Sequence, residues 1–440
     1  MGVRTDASRS AALYDRAIRV LPGGVSRNTV LRTPHPVYAD HGAGCRLIDL
    51  DDVERIDFAN NMASLIHGHA YPEIVEAVTD QLSRGTAFMM ATESEVRYAE
   101  HLCGRNPDFE KIRFTNSGTE AIMVALKASR AYTGRPKIAK VEGAYHGGYD
   151  YAEVSQAPEP STWGDADSPQ SVPLAHGTPG AALADVVIIP FNDPDRATSI
   201  LDRHKDEIAC VLMDLMPHRV GLKPADAGFV STIRNWTSTH GALLVLDEVI
   251  TFRTEVGGLQ SRYDITPDLT ALGKMIGGGF PVGAVVGRSA VMNTMNPRAE
   301  RLLFPHSGTF SANPMTMTAG LIAMENFDEQ AVTRLNTLND RAMKGISDAI
   351  GASGVRACVT GSGSMFRVHM KESAPRNYRE AFLDPEEKRR LQVLLDHLFE
   401  EGFLMINTCS GTLSTPMTEV EIDALVTAFA TGFRKIAETN

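Results

Sequence analysis

Two residues in the middle of the chain have the type and the setting that covalent chemistry on a carbonyl group would require. Asp247 follows a continuous apolar run, residues 242–246, which has the length of a buried strand. Lys274 follows another short apolar segment, residues 269–272, and precedes three consecutive glycines at 277–279. Ligands of open α/β sheets bind at the ends of such strands, and glycines allow a bulky ligand to approach the backbone. We therefore expect both residues to face one ligand site.

A lysine partly withheld from water can act as a nucleophile, because burial disfavours its ammonium form and leaves more of the neutral amine. Such an amine forms a Schiff base with an aldehyde, as pyridoxal 5′-phosphate requires of its protein. That cofactor also needs a carboxylate beside its ring nitrogen, which Asp247 could provide. Taken singly, Asp247 also fits a turn and Lys274 a solvated surface. Taken with the motifs below, they predict a cofactor site.

Composition restricts the class of protein. The 440 residues include 43 Lys plus Arg and 54 Asp plus Glu, a formal net charge of −11 without a long basic run, which argues against nucleic acid as a partner. The five cysteines never form a C-x-x-C pair, so they favour neither a disulfide framework nor a zinc site, and we expect no metal. No apolar run has the length of a membrane span, and the start MGVRTDASRS lacks a signal-peptide core. We predict a cytoplasmic location and no membrane contact.

The order of apolar segments predicts an α/β protein with two domains. From about residue 112, short strands alternate with helices, the pattern of a mainly parallel sheet covered on both faces. Residues 38–58 favour a small antiparallel sheet, and the C-terminal part mixes strands with helices. We predict an N-terminal segment (1–60) and a C-terminal part (326–440) that form a small domain beside a large domain (61–325). The large-domain strands are predicted at 112–115, 137–141, 186–190, 210–213, 242–246 and 284–287.

Two other segments carry local predictions. Pro72 and Gly85 bracket a helix, in which Ile74, Val75, Val78 and Leu82 form a predicted core stripe. Residues 158–179, rich in Ser, Pro, Gly and Asp, are predicted to form a long surface loop.

Three polar, glycine-rich motifs occur in the predicted large domain. At residues 116–120 (NSGTE) a helix begins, where free N–H groups, two hydroxyls and a glycine could bind phosphate, although the same spacing also fits an ordinary capping box. Tyr145 and His146 lie in the glycine-rich turn 143–148, so Tyr145 either stacks on a flat heterocycle or packs in the core. The turn at 306–310 (HSGTF) is uninformative alone.

In their order along the chain, the motifs SGTEA, AYHGG, LLVLDEV, ALGKMIGGG and HSGTF resemble those of the class III pyridoxal-phosphate-dependent aminotransferases of fold type I. The chain is most similar to the branch that contains glutamate-1-semialdehyde aminomutase and the β-amino-acid aminotransferases, because it shares PGGVSR near its start and FTNSGTEA. The resemblance covers essentially the whole chain. It implies a large domain with a mainly parallel, seven-stranded sheet and a smaller α+β domain from both termini.

The resemblance also implies a role for each matching residue. Lys274 would bind pyridoxal 5′-phosphate as a Schiff base and carry the proton of the reaction, and Asp247 would pair with the ring nitrogen. The implied protein is a homodimer with shared active sites. The remaining cofactor-binding residues would be Ser117, Gly118 and Thr119 at the phosphate, Tyr145 on one ring face beside His146, Val249 on the opposite face, and Thr309 reaching the phosphate from the neighbouring subunit.

Two arginines are candidate substrate-binding residues. Arg27, in PGGVSR, lies where β-amino-acid aminotransferases of this branch keep an arginine for a substrate carboxylate; the alternative is a solvated arginine that caps a loop. Arg219 lies in the sequence DLMPHR at 214–219, which replaces the E-P-x-x-G usual in the class, so it is either a substrate contact or a solvated loop residue. Where those enzymes have a second arginine late in the chain, this sequence has Thr408. A short hydroxyl there favours substrates with uncharged, apolar groups.

The function expected from the resemblance is an aminotransferase that moves an amino group from an amine or β-amino acid donor to a keto acid or aldehyde acceptor. Two alternatives stay open: a 2,1-aminomutase of the glutamate-1-semialdehyde type, and a homologue that binds the cofactor without turnover. Lys274 and Asp247 argue against the last, since a protein that only binds the cofactor needs neither a proton carrier nor an electron sink.

Overall fold

A mixed sheet of seven strands lies at the centre of residues 8–438, the part of the chain that the computed structural model describes. Its strand order is β4-β12-β11-β10-β9-β5-β8, and β12 alone runs opposite to the other six strands. The α/β class and the mainly parallel sheet are therefore confirmed. In chain order the strands of residues 8–438 are β1 Ala39–Ala43, β2 Arg46–Asp49, β3 Glu54–Asp57, β4 Lys111–Thr115, β5 Lys137–Val141, β6 Gly164–Asp165, β7 Ser168–Pro169, β8 Val186–Ile189, β9 Ile208–Met213, β10 Leu243–Asp247, β11 Leu269–Gly273, β12 Gly283–Gly287, β13 Cys358–Ser362, β14 Met365–His369, β15 Phe403–Leu404 and β16 Ser410–Thr412.

The central strands are apolar because both of their faces are covered. Every residue of β9, β10, β11 and β12 is buried. Successive side chains of a strand point to opposite faces. In β10, Leu244 and Leu246 accordingly pack in one core cluster with Phe229, whereas Val245 packs in another with Ile122.

The helices pack against this sheet and against the smaller sheets. In chain order those of residues 8–438 are α1 Arg9–Ala17, α2 Pro72–Arg84, α3 Glu93–Gly104, α4 Gly118–Thr133, α5 Asp150–Glu153, α6 Gly180–Ala184, α7 Pro194–Asp202, α8 Ala227–His240, α9 Ser289–Met292, α10 Pro314–Glu325, α11 Glu329–Ser353, α12 Tyr378–Ala381, α13 Pro385–Glu400 and α14 Glu419–Glu438. Over the same residues, no helix has both the length and the apolar character that crossing a membrane requires.

Both ends of the chain contribute to one small sheet. Its order is β1-β2-β3-β15, in which β15 pairs parallel to β3 with Phe403 opposite Ile56. The antiparallel meander β1 to β3 was expected from residues 38–58. A three-stranded sheet, β13-β14-β16, also belongs to the C-terminal part. The domain limits at residues 60 and 325 stay a prediction.

Two local predictions need correction. In α2, Ile74 is buried, but Val75 and Leu82 are 50% and 57% exposed, so the predicted core stripe is only partly in contact with the core of this chain. Apolar spacing marks a face that could be buried, but it does not say whether the chain itself covers that face. The predicted loop at 158–179 contains the short hairpin of β6 and β7, and Arg379 donates hydrogen bonds to its Gly164 and Trp163 carbonyl oxygens.

Candidate active site

The predicted site residues meet at one edge of the central sheet. Strands β4, β5, β9, β10 and β11 share one direction, so their carboxyl ends lie at the same edge. The segments that leave this edge carry Ser117, His146, Asp214, Asp247 and Lys274. Parallel sheets bind ligands at this edge, and the chain brings most of its predicted chemistry there.

Asp247 is held by two donors. His146 Nδ1 donates to Asp247 Oδ2 across 2.7 Å, and the Val249 backbone N–H donates to Oδ1 across 3.0 Å. Burial lowers the pKa of His146, which favours a neutral ring that carries its proton on Nδ1. The carboxylate is 6% exposed and has a fixed orientation at the end of β10. It can therefore present one charged edge to a ligand.

Lys274 begins the short 3₁₀ turn Lys274–Gly277 directly after β11, with a positive φ of 50°. Burial lowers the pKa of its amine to about 8, although the nearby acidic groups of Asp247 and Asp214 oppose that effect. The neutral amine is thus much more populated near neutral pH than for a lysine in water. A positive φ in a residue other than glycine is often found at functional sites.

Two of the glycines after Lys274 are required by the packing of the protein itself. Gly278 has φ 57°, and a Cβ there would lie 2.3 Å from the backbone oxygen of Ala319 in α10. A Cβ on Gly277 would lie 2.7 Å from Val282 Cγ1. Gly278 thus allows the backbone of α10, and Gly277 the side chain of Val282, to approach the turn that carries Lys274. The approach of a ligand to this glycine run stays a prediction.

The start of α4 offers donors for an anion. Ser117 Oγ accepts the Glu120 N–H across 3.1 Å, as the capping-box alternative required, and Thr119 Oγ1 accepts the Gly148 N–H across 3.2 Å. Because a hydroxyl that accepts a bond can still donate one, both O–H groups remain usable. Gly118 and Thr119 begin the helix, where backbone N–H groups have no intrahelical acceptor. A capped helix and a phosphate site are therefore compatible here.

Val249 and Tyr145 offer apolar surfaces near this helix start. A Cβ on Gly118 would lie 3.0 Å from Val249 Cγ1, and one on Gly273 would lie 3.3 Å from the same atom. Val249 therefore lies between the helix start and the residue before Lys274. Tyr145 is 53% exposed, which excludes the alternative that it packs in the core.

The segment at 214–219 forms part of the same site. Burial and the Asp247 carboxylate raise the pKa of Asp214 well above its usual range, so this carboxyl group is a potential hydrogen-bond donor. Its Oδ1 accepts the Met216 N–H across 2.8 Å. His218 Nε2 lies 3.0 Å from Ser410 Oγ and 3.1 Å from Thr408 Oγ1. The position predicted to lack a second arginine thus has Thr408 in a hydrogen-bonded network with His218 and Ser410. The buried Arg367 adjoins this network, because its Nη1 donates to the His218 carbonyl oxygen across 2.7 Å.

The two candidate substrate arginines lie in different surroundings. Arg27 is exposed, and its Nη1 donates to Asn61 Oδ1 across 2.6 Å. Arg219 is half-buried, and its charge acts on Tyr145, whose pKa is raised mainly by burial. Arg219 therefore lies on the Tyr145 side of the site.

Thr309 is exposed in the turn before α10. A Cβ on the preceding Gly308 would lie 3.5 Å from Asn116 Nδ2 of the same chain, at the end of β4. The turn that carries Thr309 thus lies near the start of α4 in its own chain. That Thr309 reaches the site of a partner stays a prediction.

Sequence reasoning missed Lys140, in β5 beneath the Tyr145 turn. It is 0% exposed, and its Nζ donates to the Ala144 and Val154 carbonyl oxygens across 3.0 Å and 2.7 Å. Burial lowers the pKa of this amine to about 7. The available signal was a second lysine within the predicted buried strand at 137–141.

Sequence comparison now decides the family. The family described as "Aminotransferase class-III" matches residues 29–429. The chain belongs to the class III aminotransferases. Members of this family use pyridoxal 5′-phosphate.

Three relatives show what this class III chain is similar to. An omega-transaminase from Sphaerobacter thermophilus superposes with a TM-score of 0.96 at 46% identity, covering 99% of each chain. A novel beta-phenylalanine aminotransferase from Variovorax paradoxus superposes with a TM-score of 0.86 at 33% identity, covering 96% of this chain and 93% of that one. A glutamate-1-semialdehyde 2,1-aminomutase from Methanothermobacter thermautotrophicus is 37% identical over 85% of this chain and 86% of its own. The fold is therefore that of the fold type I enzymes.

The residues at the sheet edge fit the cofactor of the family. A buried, doubly hydrogen-bonded Asp247 suits a protonated ring nitrogen, and the Lys274 amine suits an aldehyde. The start of α4 has donors available for a phosphate, and a Cβ at position 118 would lie in tight contact with Val249, 3.0 Å from its Cγ1. The exposed ring of Tyr145 is available for stacking.

Proposed function

We propose that this class III enzyme is an aminotransferase that takes an amino group from a β-amino acid or an amine with an apolar substituent and transfers it to a keto acid or aldehyde. The observation that carries the proposal is the Lys274 amine, with its lowered pKa, at the sheet edge that also holds the His146–Asp247 pair. When bound, the cofactor supplies an aldehyde and an electron-withdrawing ring.

The protein's own groups would then have distinct tasks. Lys274 Nζ would move a proton between the substrate carbon that bears the amino group and the aldehyde carbon of the cofactor. A neutral amine can accept this proton, and the ammonium that results can return it. Asp247, oriented by His146, would keep the ring nitrogen protonated. Ser117, Gly118 and Thr119 would bind the phosphate, while Tyr145 and Val249 would bound the two ring faces.

Transfer between two substrates is favoured over intramolecular exchange by the comparisons. Identity to the omega-transaminase is 46% over 99% of both chains, against 37% over 85% of this chain for the aminomutase. An aminomutase nevertheless stays the second candidate, because curated relatives of that name reach 33–40% identity.

Half-reaction spectra test the proposal. The enzyme loaded with cofactor would be mixed with an amino donor alone, and then with a keto acid alone. An aminotransferase should convert fully to the aminated cofactor in the first step and return to the aldehyde form in the second. If only glutamate-1-semialdehyde changed the spectrum and no separate acceptor were needed, the aminomutase would be the correct function; no change with any amine would indicate a protein that only binds the cofactor.

We further propose that Arg27 binds the carboxylate of a β-amino acid. Its guanidinium is exposed and, among residues 8–438, its hydrogen-bond partner is the neutral Asn61. Matched donors test this role: 3-amino-3-phenylpropanoate has a carboxylate that 1-phenylethylamine lacks. Arg27→Ala should lower kcat/KM roughly tenfold or more for the first donor and little for the second. Arg219→Ala, assayed in the same way, tests whether Arg219 takes that role instead.

We also propose a homodimer in which Thr309 serves the partner's site. Several apolar side chains are exposed in the single chain: Phe88 is 52%, Met89 104%, Met90 83% and Phe310 58% exposed. Three of these residues are consecutive in the chain, and exposed apolar surface that is contiguous commonly marks an interface.

A further inference from the structure

Arg27 is hydrogen-bonded to a turn whose backbone is strained. Asn60, Asn61, Met62 and Ala63 have positive φ values of 45°, 48°, 60° and 69°, and none of them is a glycine. Side chains are disfavoured in this left-handed region, and a run of four is unusual. Such strain persists only where surrounding contacts fix the backbone, and it concentrates at binding sites. The turn therefore needs both a structural cause and a functional explanation.

The cause is a set of hydrogen bonds at both ends of the turn. Asn60 Nδ2 donates to the Thr412 carbonyl oxygen across 2.7 Å, and the Asn60 N–H donates to Asp57 Oδ1 across 2.8 Å. At the other end, the fully buried Arg253 donates from Nη1 to the Ala63 oxygen across 3.3 Å. Arg253 lies in the segment that follows Asp247, so the turn is tied to the element that carries the site carboxylate.

The side chain of Asn61 is fixed as well. Its Oδ1 accepts from Arg27 Nη1 across 2.6 Å, and its Nδ2 donates to Ser64 Oγ across 3.1 Å. Ser64 Oγ in turn donates to the Asn61 carbonyl oxygen across 3.0 Å. The orientation of the amide follows from chemistry, since a guanidinium can only donate.

The turn also adjoins the loop of the reactive lysine. A Cβ built on Gly279, in the glycine run after Lys274, would lie 3.4 Å from Leu65 Cδ2. Arg27 is therefore held by a rigid element that contacts the Lys274 loop, although Arg27 itself lies in the N-terminal segment.

We propose that Asn61 is a positioning residue for Arg27: its strained, fixed amide holds the guanidinium toward the site, and its neutrality keeps the charge of Arg27 available for a substrate carboxylate. This inference rests on the proposed role of Arg27. An acidic residue at position 61 would hold the guanidinium equally well but would neutralise it, so it would compete with the substrate. Asparagine also tolerates positive φ better than most residues, which suits it to this place.

Asn61→Asp and Asn61→Gly separate the two parts of the proposal. Aspartate keeps an acceptor and adds a charge, whereas glycine accepts the positive φ without strain and removes the acceptor. Asn28→Asp is the matched control, because it adds the same charge next to Arg27 without replacing its hydrogen-bond partner. All variants would be compared as loaded enzymes, with their thermal unfolding recorded.

Two readouts are needed. The first is KM and kcat for 3-amino-3-phenylpropanoate and for 1-phenylethylamine. The second is the dissociation constant of 3-phenylpropanoate, a carboxylate without an amino group, measured by calorimetry. Asn61→Asp should raise KM for the carboxylated donor and the dissociation constant of 3-phenylpropanoate roughly tenfold or more, with kcat nearly unchanged. Asn61→Gly should show a smaller increase, and 1-phenylethylamine should be converted normally by every variant.

The outcomes distinguish the positioning role of Asn61 from the proposed carboxylate binding by Arg27. If Arg27→Ala impairs the carboxylated donor selectively but Asn61→Asp does not, the role of Asn61 is wrong while that of Arg27 stands. Equal losses for both donors in Asn61→Asp would show a merely structural turn and would also overturn the proposal. If Arg27→Ala itself fails to discriminate between the donors, the carboxylate site is elsewhere and the role of Asn61 falls with it.

Discussion

His146 Nδ1 donates a hydrogen bond to Asp247 Oδ2 across 2.7 Å, and both side chains are buried. This contact joins the turn after β5 to the end of β10, two strands that are separated in the sheet by β9. The imidazole thereby fixes which oxygen of the carboxylate faces a ligand. Tyr145, the residue before His146, is placed by the same turn.

Removal of this hydrogen bond should reduce turnover more than cofactor affinity. We expect His146→Ala to lower kcat by roughly 10- to 100-fold, because Asp247 loses a donor that orients it. His146→Asn should recover part of that loss, since its amide N–H can replace Nδ1–H. Asp247→Ala should retain some cofactor but nearly abolish turnover. Steady-state kinetics together with cofactor titration by absorbance will check this; a fully active His146→Ala enzyme would show that the bond has no role in orientation.

Lys274 should carry the cofactor covalently, with a characteristic dependence on pH. Burial lowers the pKa of its amine to about 8, so the neutral, nucleophilic form increases as the pH rises through that value. The rate of covalent capture of added pyridoxal 5′-phosphate should rise up to about tenfold from pH 7 to pH 9 and then level off. Nα-acetyl-lysine under the same conditions provides the reference for an amine in water.

Borohydride reduction identifies the lysine involved. After reduction and digestion, mass spectrometry should find the pyridoxyl group on Lys274, and Lys274→Ala should take up none. A pyridoxyl group on another lysine, the buried Lys140 included, would refute the assignment.

The contribution of Thr309 can be tested by mixing two inactive chains. One chain carries Lys274→Ala, and the other carries Thr309→Glu, whose charge should repel a phosphate. If Thr309 serves the partner's site, a heterodimer contains one complete site. Once heterodimers are shown to form, each should have about half of the activity of a native homodimer, which has two complete sites. If Thr309 serves its own chain, as the closeness of Gly308 to Asn116 allows, no activity will return.

The sequence predicted well those features that depend on local order along the chain. Asp247 and Lys274 each follow an apolar run, and parallel strands bring such ends together, so their meeting was foreseeable. The His146–Asp247 bond was not, because it depends on the order of strands in the sheet, which periodicity does not encode. The packing of α10 against Gly278 was not foreseeable for the same reason, since α10 lies far along the chain.

Exposure was the other feature that sequence could not settle. Val75 and Leu82 have the spacing of core residues, yet no element of residues 8–438 covers them fully. Lys140 is the opposite case: a charged residue type that is completely buried, because two backbone carbonyl oxygens accept its hydrogen bonds. Residue type alone would predict that Val75 and Leu82 are buried and that Lys140 is exposed.

Lys140 should give the fold a pH dependence that a neutral side chain abolishes. Its pKa is about 7 in the folded chain and, for a lysine in water, about 10.5. Between these two values the unfolded chain binds the additional proton, so a rise in pH favours the folded state. The free energy of unfolding of the native protein, relative to that of Lys140→Met, should therefore increase from about pH 7 toward pH 10.5, by at most about 1.4 kcal/mol per pH unit. Urea unfolding of both proteins over the accessible part of that range measures the difference, with Lys137→Met, at the start of the same strand, as the control for loss of a lysine. Parallel curves for the native protein and Lys140→Met would mean that the buried amine does not titrate in this window.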